Sequence, residues 1–126
     1  MAVSASSLVL GTVQFGLRYG VANKTGQPDQ ATVNEIVHLA WQKGVREFDT
    51  AQDYGVSEEV LGKAFAHSGI QDEARVISKI DPGLDHCDAG LMQAAFERSL
   101  QRLGVPRLLG LMIHKEDLLD RCDPGM

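Results

Sequence analysis

Val45-Arg46-Glu47-Phe48-Asp49-Thr50-Ala51-Gln52-Asp53-Tyr54-Gly55-Val56-Ser57-Glu58-Glu59 is the run that decides the fold. It opens as a short buried strand from Val45 to Phe48 and passes into a polar loop from Asp49 to Val56. A helix then starts at Ser57, a good N-cap, with Glu58 and Glu59 in the first turn where the helix dipole favours carboxylates. Val60, Leu61, Ala64 and Phe65 follow at helical spacing and give that helix its apolar stripe. Strand, loop and helix in this order form one βα unit.

The rest of the chain repeats the unit. Upstream, Ser7 to Val13 reads as a first strand closing on Gly11 and Thr12, and a loop rich in Gly, Asn and Pro runs from Gln14 to about Asp29. Thr32 with Glu35 makes a capping box. Val33, Ile36, Val37 and Ala40 form the stripe of that helix, and Gly44 supplies a left-handed stop. Downstream, Arg75 to Ser78 is a third strand ending at Lys79, with a turn at Asp81-Pro82-Gly83. A helix from about Asp88 to Leu103 carries the stripe Met92, Phe96, Leu100 and Leu103, and Gly104 with Pro106 ends it. Leu108 to Ile113 is a fourth strand, ending at His114. Strands alternating with helices predict an α/β fold with a parallel sheet.

Parallel sheets carry function at the carboxyl ends of their strands. That rule selects Gly11 and Thr12, then Asp49, Lys79 and His114, before any comparison is made. Each has a plain structural alternative. Asp49 could cap a loop, Lys79 could be a solvated strand end, His114 a satisfied loop histidine and Tyr54 a half-buried anchor. The functional reading gains because all four can converge on one rim.

Composition narrows the function classes. The chain has 126 residues, 13.7 kDa, a net charge of −5 and a pI near 5.2. An acidic chain without a basic patch does not suit nucleic acid. No apolar run approaches the ~18 residues of a membrane helix. No basic and apolar leader opens the sequence, so a cytoplasmic protein is expected. Cys87 and Cys122 form no CxxC and are expected as reduced thiols. His86-Cys87 lacks a second ligand pair, so no metal site is expected. Tyr19 is expected to pack, and Gly16-Leu17-Arg18-Tyr19-Gly20 does not have dinucleotide-fingerprint spacing. Gly62 is expected to let its helix approach the sheet.

The stretch from Phe48 to Glu58, continuing to Leu61-Gly62, resembles the F-D-T-A-x-x-Y-G-x-S-E pattern of the aldo-keto reductase superfamily. The resemblance extends to Gly11-Thr12, to Lys79 in Ile77-Ser78-Lys79 and to His114 in Met112-Ile113-His114. It implies a (β/α)8 TIM barrel, of which residues 1–126 cover about the first four βα units. It also implies hydride transfer between a nicotinamide cofactor, usually NADP(H) with NAD(H) also open, and a carbonyl or alcohol. Carried over by position, Tyr54 is the general acid, Lys79 lies beside it, Asp49 beside the lysine, and His114 orients the substrate oxygen. Gly11, Thr12 and Asp49 are implied at the cofactor.

These residue types suit that chemistry. A tyrosine phenol ordinarily titrates near 10, and a neighbouring ammonium favours its phenolate. A carboxylate holds the ammonium charged, and a histidine donor stabilises charge developing on oxygen.

A full barrel needs ~250 residues, and Asp123-Pro124 resembles the start of a further helix. A truncated half-barrel is therefore expected, with two open sheet edges and an apolar inner face. It would be completed by self-association or by a separate C-terminal half, or else persist as an inactive fragment that only assembles with another reductase chain. An open doubly wound binding module is the third reading, and its sheet would show a switch point. Asn23, Lys24 and Thr25 make the first loop polar enough for a sugar-derived carbonyl.

Overall fold

The computed structural model of the chain describes residues 7–18, 20 and 26–121. Tyr19, Asn23, Lys24, Thr25, Cys122 and the 123–126 segment, all weighed above, lie outside them. Four strands, β1 (Val9–Gly11), β2 (Glu47–Asp49), β3 (Arg75–Ile80) and β4 (Gly110–Ile113), form one sheet in the order β1-β2-β3-β4. Every neighbouring pair is parallel, and the winding never reverses. Among the described residues the sheet has no switch point, so the doubly wound reading is set aside and the sheet is an arc of a barrel.

The helices are α1 (Val13–Gly16), α2 (Gln30–Gln42), α3 (Ser57–Ser68) and α4 (Ala89–Leu103), and a 3₁₀ helix spans Glu116–Arg121. Alternation along each strand sends Leu10, Phe48 and Val76 outward toward the helices, at one level of the sheet. Phe48 is fully buried, edge-on to Phe65 at 4.9 Å between centroids and stacked near Trp41 at 6.4 Å. Val33, Val37, Leu61 and Leu103 complete that core.

Several boundaries differ from expectation. The first strand stops at Gly11, because Thr12 turns the chain: its carbonyl accepts from the Phe15 amide, and α1 begins at Val13. The capping box at Thr32 is replaced by Asp29, whose carboxylate accepts from the Thr32 amide at 2.8 Å. A charged cap outcompetes a neutral one at the positive helix end. Ser57 is the first helical residue rather than the cap, and its hydroxyl points inward. In α4 the buried line is Ala95, Ser99 and Leu103, one step round from the predicted stripe. Small residues there admit the Gln52 side chain, whose Nε2 donates to the Ala95 carbonyl and the Ser99 hydroxyl. Gly62 meets another helix rather than the sheet. A Cβ on it would lie 2.4 Å from the Arg102 carbonyl oxygen.

The inner face of the sheet is mixed. Glu47 and Arg75, paired in register on neighbouring strands, face it and approach to 3.7 Å, Asp49 and Lys79 lie nearer the carboxyl ends, and Val9, Ile77 and Met112 share that face. Exposed apolar side chains lie on both outer strands, on Leu8 and Val9 at one edge and on Met112 and Ile113 (52% and 41% exposed) at the other.

The Thr32 hydroxyl and then the Thr32 amide hold the Asp29 carboxyl below its ordinary value. A depressed carboxyl contributes stability above its unfolded value and loses it as pH falls through the folded one. Asp29→Asn caps without titrating. Thermal unfolding of the two forms is therefore expected to differ in favour of the parent at pH 6 and to converge as the pH falls through the depressed value of the folded carboxyl. A gap that stays constant with pH would show that the cap charge is not what stabilises α2.

Candidate functional site

Three strand ends deliver the charged groups. Inward-facing Asp49 ends β2, and inward-facing Lys79 lies near the end of β3. Lys79 Nζ donates to Asp49 Oδ1 at 2.8 Å, Asp49 Oδ2 at 2.9 Å and the Thr50 carbonyl at 3.1 Å. An ammonium has three N–H donors, so this geometry uses them all. The side chains are 17% and 33% exposed, which leaves the pair shielded yet reachable.

Tyr54 stands on the β2–α3 loop above this pair. Lys79 Nζ lies 5.1 Å from its ring centroid. His114, directly after β4, meets the same ring edge-on at 5.6 Å and 87°. Its Nδ1 is buried without a hydrogen-bond partner. Such an atom costs ~1–3 kcal/mol until water or a ligand satisfies it. Thus Asp49, Tyr54, Lys79 and His114 are brought together on one rim.

Gly11 lies in register with Asp49 on the same inner layer. A Cβ placed on it would meet nothing within 4 Å, so the surface above it is open. Thr12 is different. Its side chain is buried, with Oγ1 donating to the Asp49 carbonyl at 2.8 Å and lying 2.9 Å from Ser57 Oγ. That hydroxyl is engaged within the protein.

The loop bearing Tyr54 is pinned on all sides. Ser57 N–H donates to the Tyr54 carbonyl, and Gln52 N–H to the Lys79 carbonyl. Gln52 Oε1 accepts from the Asp81 amide. Gly55 takes a positive φ of 56°, where a Cβ would strain the backbone, and it backs onto the Gly16 carbonyl at 2.4 Å from its notional Cβ. Sequence reasoning missed Thr50, Ser78 and Gln52 as site supports. The available signal was a hydroxyl beside each charged strand-end residue, in Thr50 after Asp49 and Ser78 before Lys79.

Other features stand apart from this rim. A cavity of about 570 Å³ opens at the amino ends of the strands, lined by Arg46, Glu73, Arg75 and Arg107 among others. That is the opposite end from where barrels place chemistry. Among the described residues no cluster of three His, Cys, Asp or Glu side chains could hold a metal, and no helix is long and apolar enough to cross a membrane. Cys87 is disulfide-bonded, contrary to the reduced thiol expected.

Comparisons with known proteins agree with the geometry. Residues 7–119 match the aldo/keto reductase family. Protein REDOX 2 of Catharanthus roseus is 36% identical over 76% of this chain, which spans 31% of that protein. The crystal structure of an aldo-keto reductase from Pseudomonas aeruginosa superimposes on 97% of the chain with a TM-score of 0.73 and 28% identity, and the match covers 51% of it. A Bombyx mori aldo-keto reductase solved with NADP gives a TM-score of 0.63 at 27% identity, over 87% of this chain and 36% of that one. The chain thus spans about half or less of the length of these relatives. With its strand order, its rim and its sequence all in agreement, this chain belongs to the aldo/keto reductase family.

Proposed function

We propose that this rim reduces a small carbonyl compound to the alcohol, with a nicotinamide cofactor as the reductant. The observation that carries the reading is the Lys79 ammonium, fixed by three acceptors and set 5.1 Å from the centroid of the Tyr54 ring, with His114 edge-on to the same ring. Tyr54 donates its phenolic proton to the carbonyl oxygen as that oxygen becomes negative, and the Lys79 charge favours the phenolate left behind. Asp49 keeps the ammonium in place. His114 orients the carbonyl oxygen and stabilises its charge.

The chain's residues fit the cofactor. Gly11 leaves open surface at the strand end, Asp49 retains lone pairs for a ligand hydroxyl, and the unpaired His114 Nδ1 marks a polar group short of a partner. When bound, NADP(H) or NAD(H) supplies the hydride. Thr12 contributes by holding the Asp49 carbonyl. A sugar-derived carbonyl is the substrate class that the polar first loop favours.

Completion of the barrel belongs to the same proposal. The exposed apolar side chains on the two outer strands favour association with a second copy of this chain or with another chain of the family. The same observations favour the second reading, an inactive half that only assembles with another reductase chain.

NADPH fluorescence titrations, with sedimentation velocity on the same samples, test both. Saturable binding by an assembled species is expected. Gly11→Ala should fold like the parent, since its methyl enters open space, yet weaken binding. Lys79→Met should lose the charge at the rim. A folded monomer at micromolar concentration that binds nothing would overturn the enzymatic reading and the self-association with it.

A further inference from the structure

We propose that Ser57 and Glu58, at the start of α3, are positioning residues that clamp three strand ends and thereby set Tyr54 against Lys79 and Asp49. The proposal rests on the reductive reading for its functional consequence but on geometry for its substance. Ser57 Oγ donates to the Thr12 carbonyl at 2.9 Å and lies 2.9 Å from both Thr12 Oγ1 and Thr50 Oγ1. Thr12 Oγ1 also reaches the Asp49 carbonyl. Three hydroxyl protons therefore serve four short contacts, with Ser57 Oγ in three of them. All three hydroxyl residues are buried to 1% exposure or less.

Glu58 supplies the second arm. Its Oε2 accepts from Ser78 Oγ at 2.9 Å, and Arg102 Nη1 lies 3.7 Å from Oε1, an ion pair too long for a hydrogen bond. Burying a carboxylate costs several kcal/mol. A helix-start role does not require burial. Glu59 fills such a role with its side chain half in solvent, whereas Glu58 is 2% exposed.

Strand alternation explains what the clamp achieves. Thr50 and Ser78 turn outward to α3, while their chain neighbours Asp49 and Lys79 turn inward to the rim. The Ser57 amide holds the Tyr54 carbonyl. Each of Asp49, Lys79 and Tyr54 is thus held one to three residues from a clamped group. Loss of the hub frees the spacing among them without touching the reacting atoms.

The test compares Ser57→Ala, Thr50→Val and Ser78→Ala with Val37→Ala, a core variant remote from the rim, at matched loss of stability. In the full chain, the nuclear Overhauser cross-peak between the Tyr54 and His114 rings is read first, because it needs no activity. It should weaken or vanish in the three clamp variants and persist in Val37→Ala. Where turnover is measurable, kcat should fall roughly tenfold or more with KM little changed, as misplacement of a catalytic group predicts. Thr50→Val, nearly isosteric, carries the test if Ser57→Ala does not fold. Full cross-peaks in the clamp variants, or none in the parent, would overturn the proposal. Cross-peaks present in the parent and lost in the clamp variants, in a chain that never turns over, would uphold the clamp and sink the reductase reading instead.

Discussion

Tyr54→Phe is expected to remove turnover while leaving the fold and cofactor binding in place. Phenylalanine keeps the ring that meets His114 edge-on and lies near the Lys79 ammonium, so the packing of the loop survives. What is lost is the O–H proposed to give its proton to the carbonyl oxygen. A positioned general acid contributes about 10²–10⁴-fold, and the loss should fall on kcat and kcat/KM alike, since the proton moves only in the transition state. The measurement is steady-state reduction of a carbonyl by the chain, alone or with a complementing half, alongside NADPH titration of parent and variant. Retention of near-parental turnover by the phenylalanine form would remove Tyr54 from its assigned role.

Gly16→Ala should be the most damaging of the single-methyl additions at the site. A Cβ on Gly16 would sit 1.6 Å from the Tyr54 carbonyl oxygen and 2.6 Å from the Ser57 amide nitrogen. Both are backbone atoms in a loop held by its own hydrogen bonds, so neither can swing aside as a flexible side chain would. Gly16 is helical, without positive φ, and the cost is therefore steric rather than conformational. Overpacking of this kind costs about 1–3 kcal/mol or more. Denaturant midpoints for Gly16→Ala and Gly11→Ala give the contrast: the first should drop well below the parent, the second should match it. Equal midpoints would mean that α1 can move off the loop.

Much of the site was legible in the chain because the relevant signals are local. Asp49, Lys79 and His114 follow directly after or near the end of short apolar runs, and the carboxyl-end rule selects them without any coordinates. Tyr54 became visible through the pattern around it. The supports were not legible. Nothing in the order of residues says that Ser57 turns its hydroxyl toward Thr12, 45 positions earlier, or that Gln52 reaches Ser99, 47 positions later. For the same reason Ser57 read as a cap, and Asp29 was overlooked in favour of Thr32. The α4 stripe was displaced because apolar periodicity does not register a polar contact at Ser99.

By itself the sequence determined the alternation of strand and helix, the parallel class of the sheet and the residues delivered to its carboxyl end. Those follow from periodicity, caps and breakers, which act over a few residues. Only the tertiary structure decided the one-way winding, the Glu47–Arg75 pairing on the inner face, the spending of all three Lys79 donors and the burial of Thr12, Thr50, Ser57 and Ser78. These depend on which strand ends come to lie side by side, and hydrogen bonds between groups some 30 to 45 residues apart form only once the sheet has assembled.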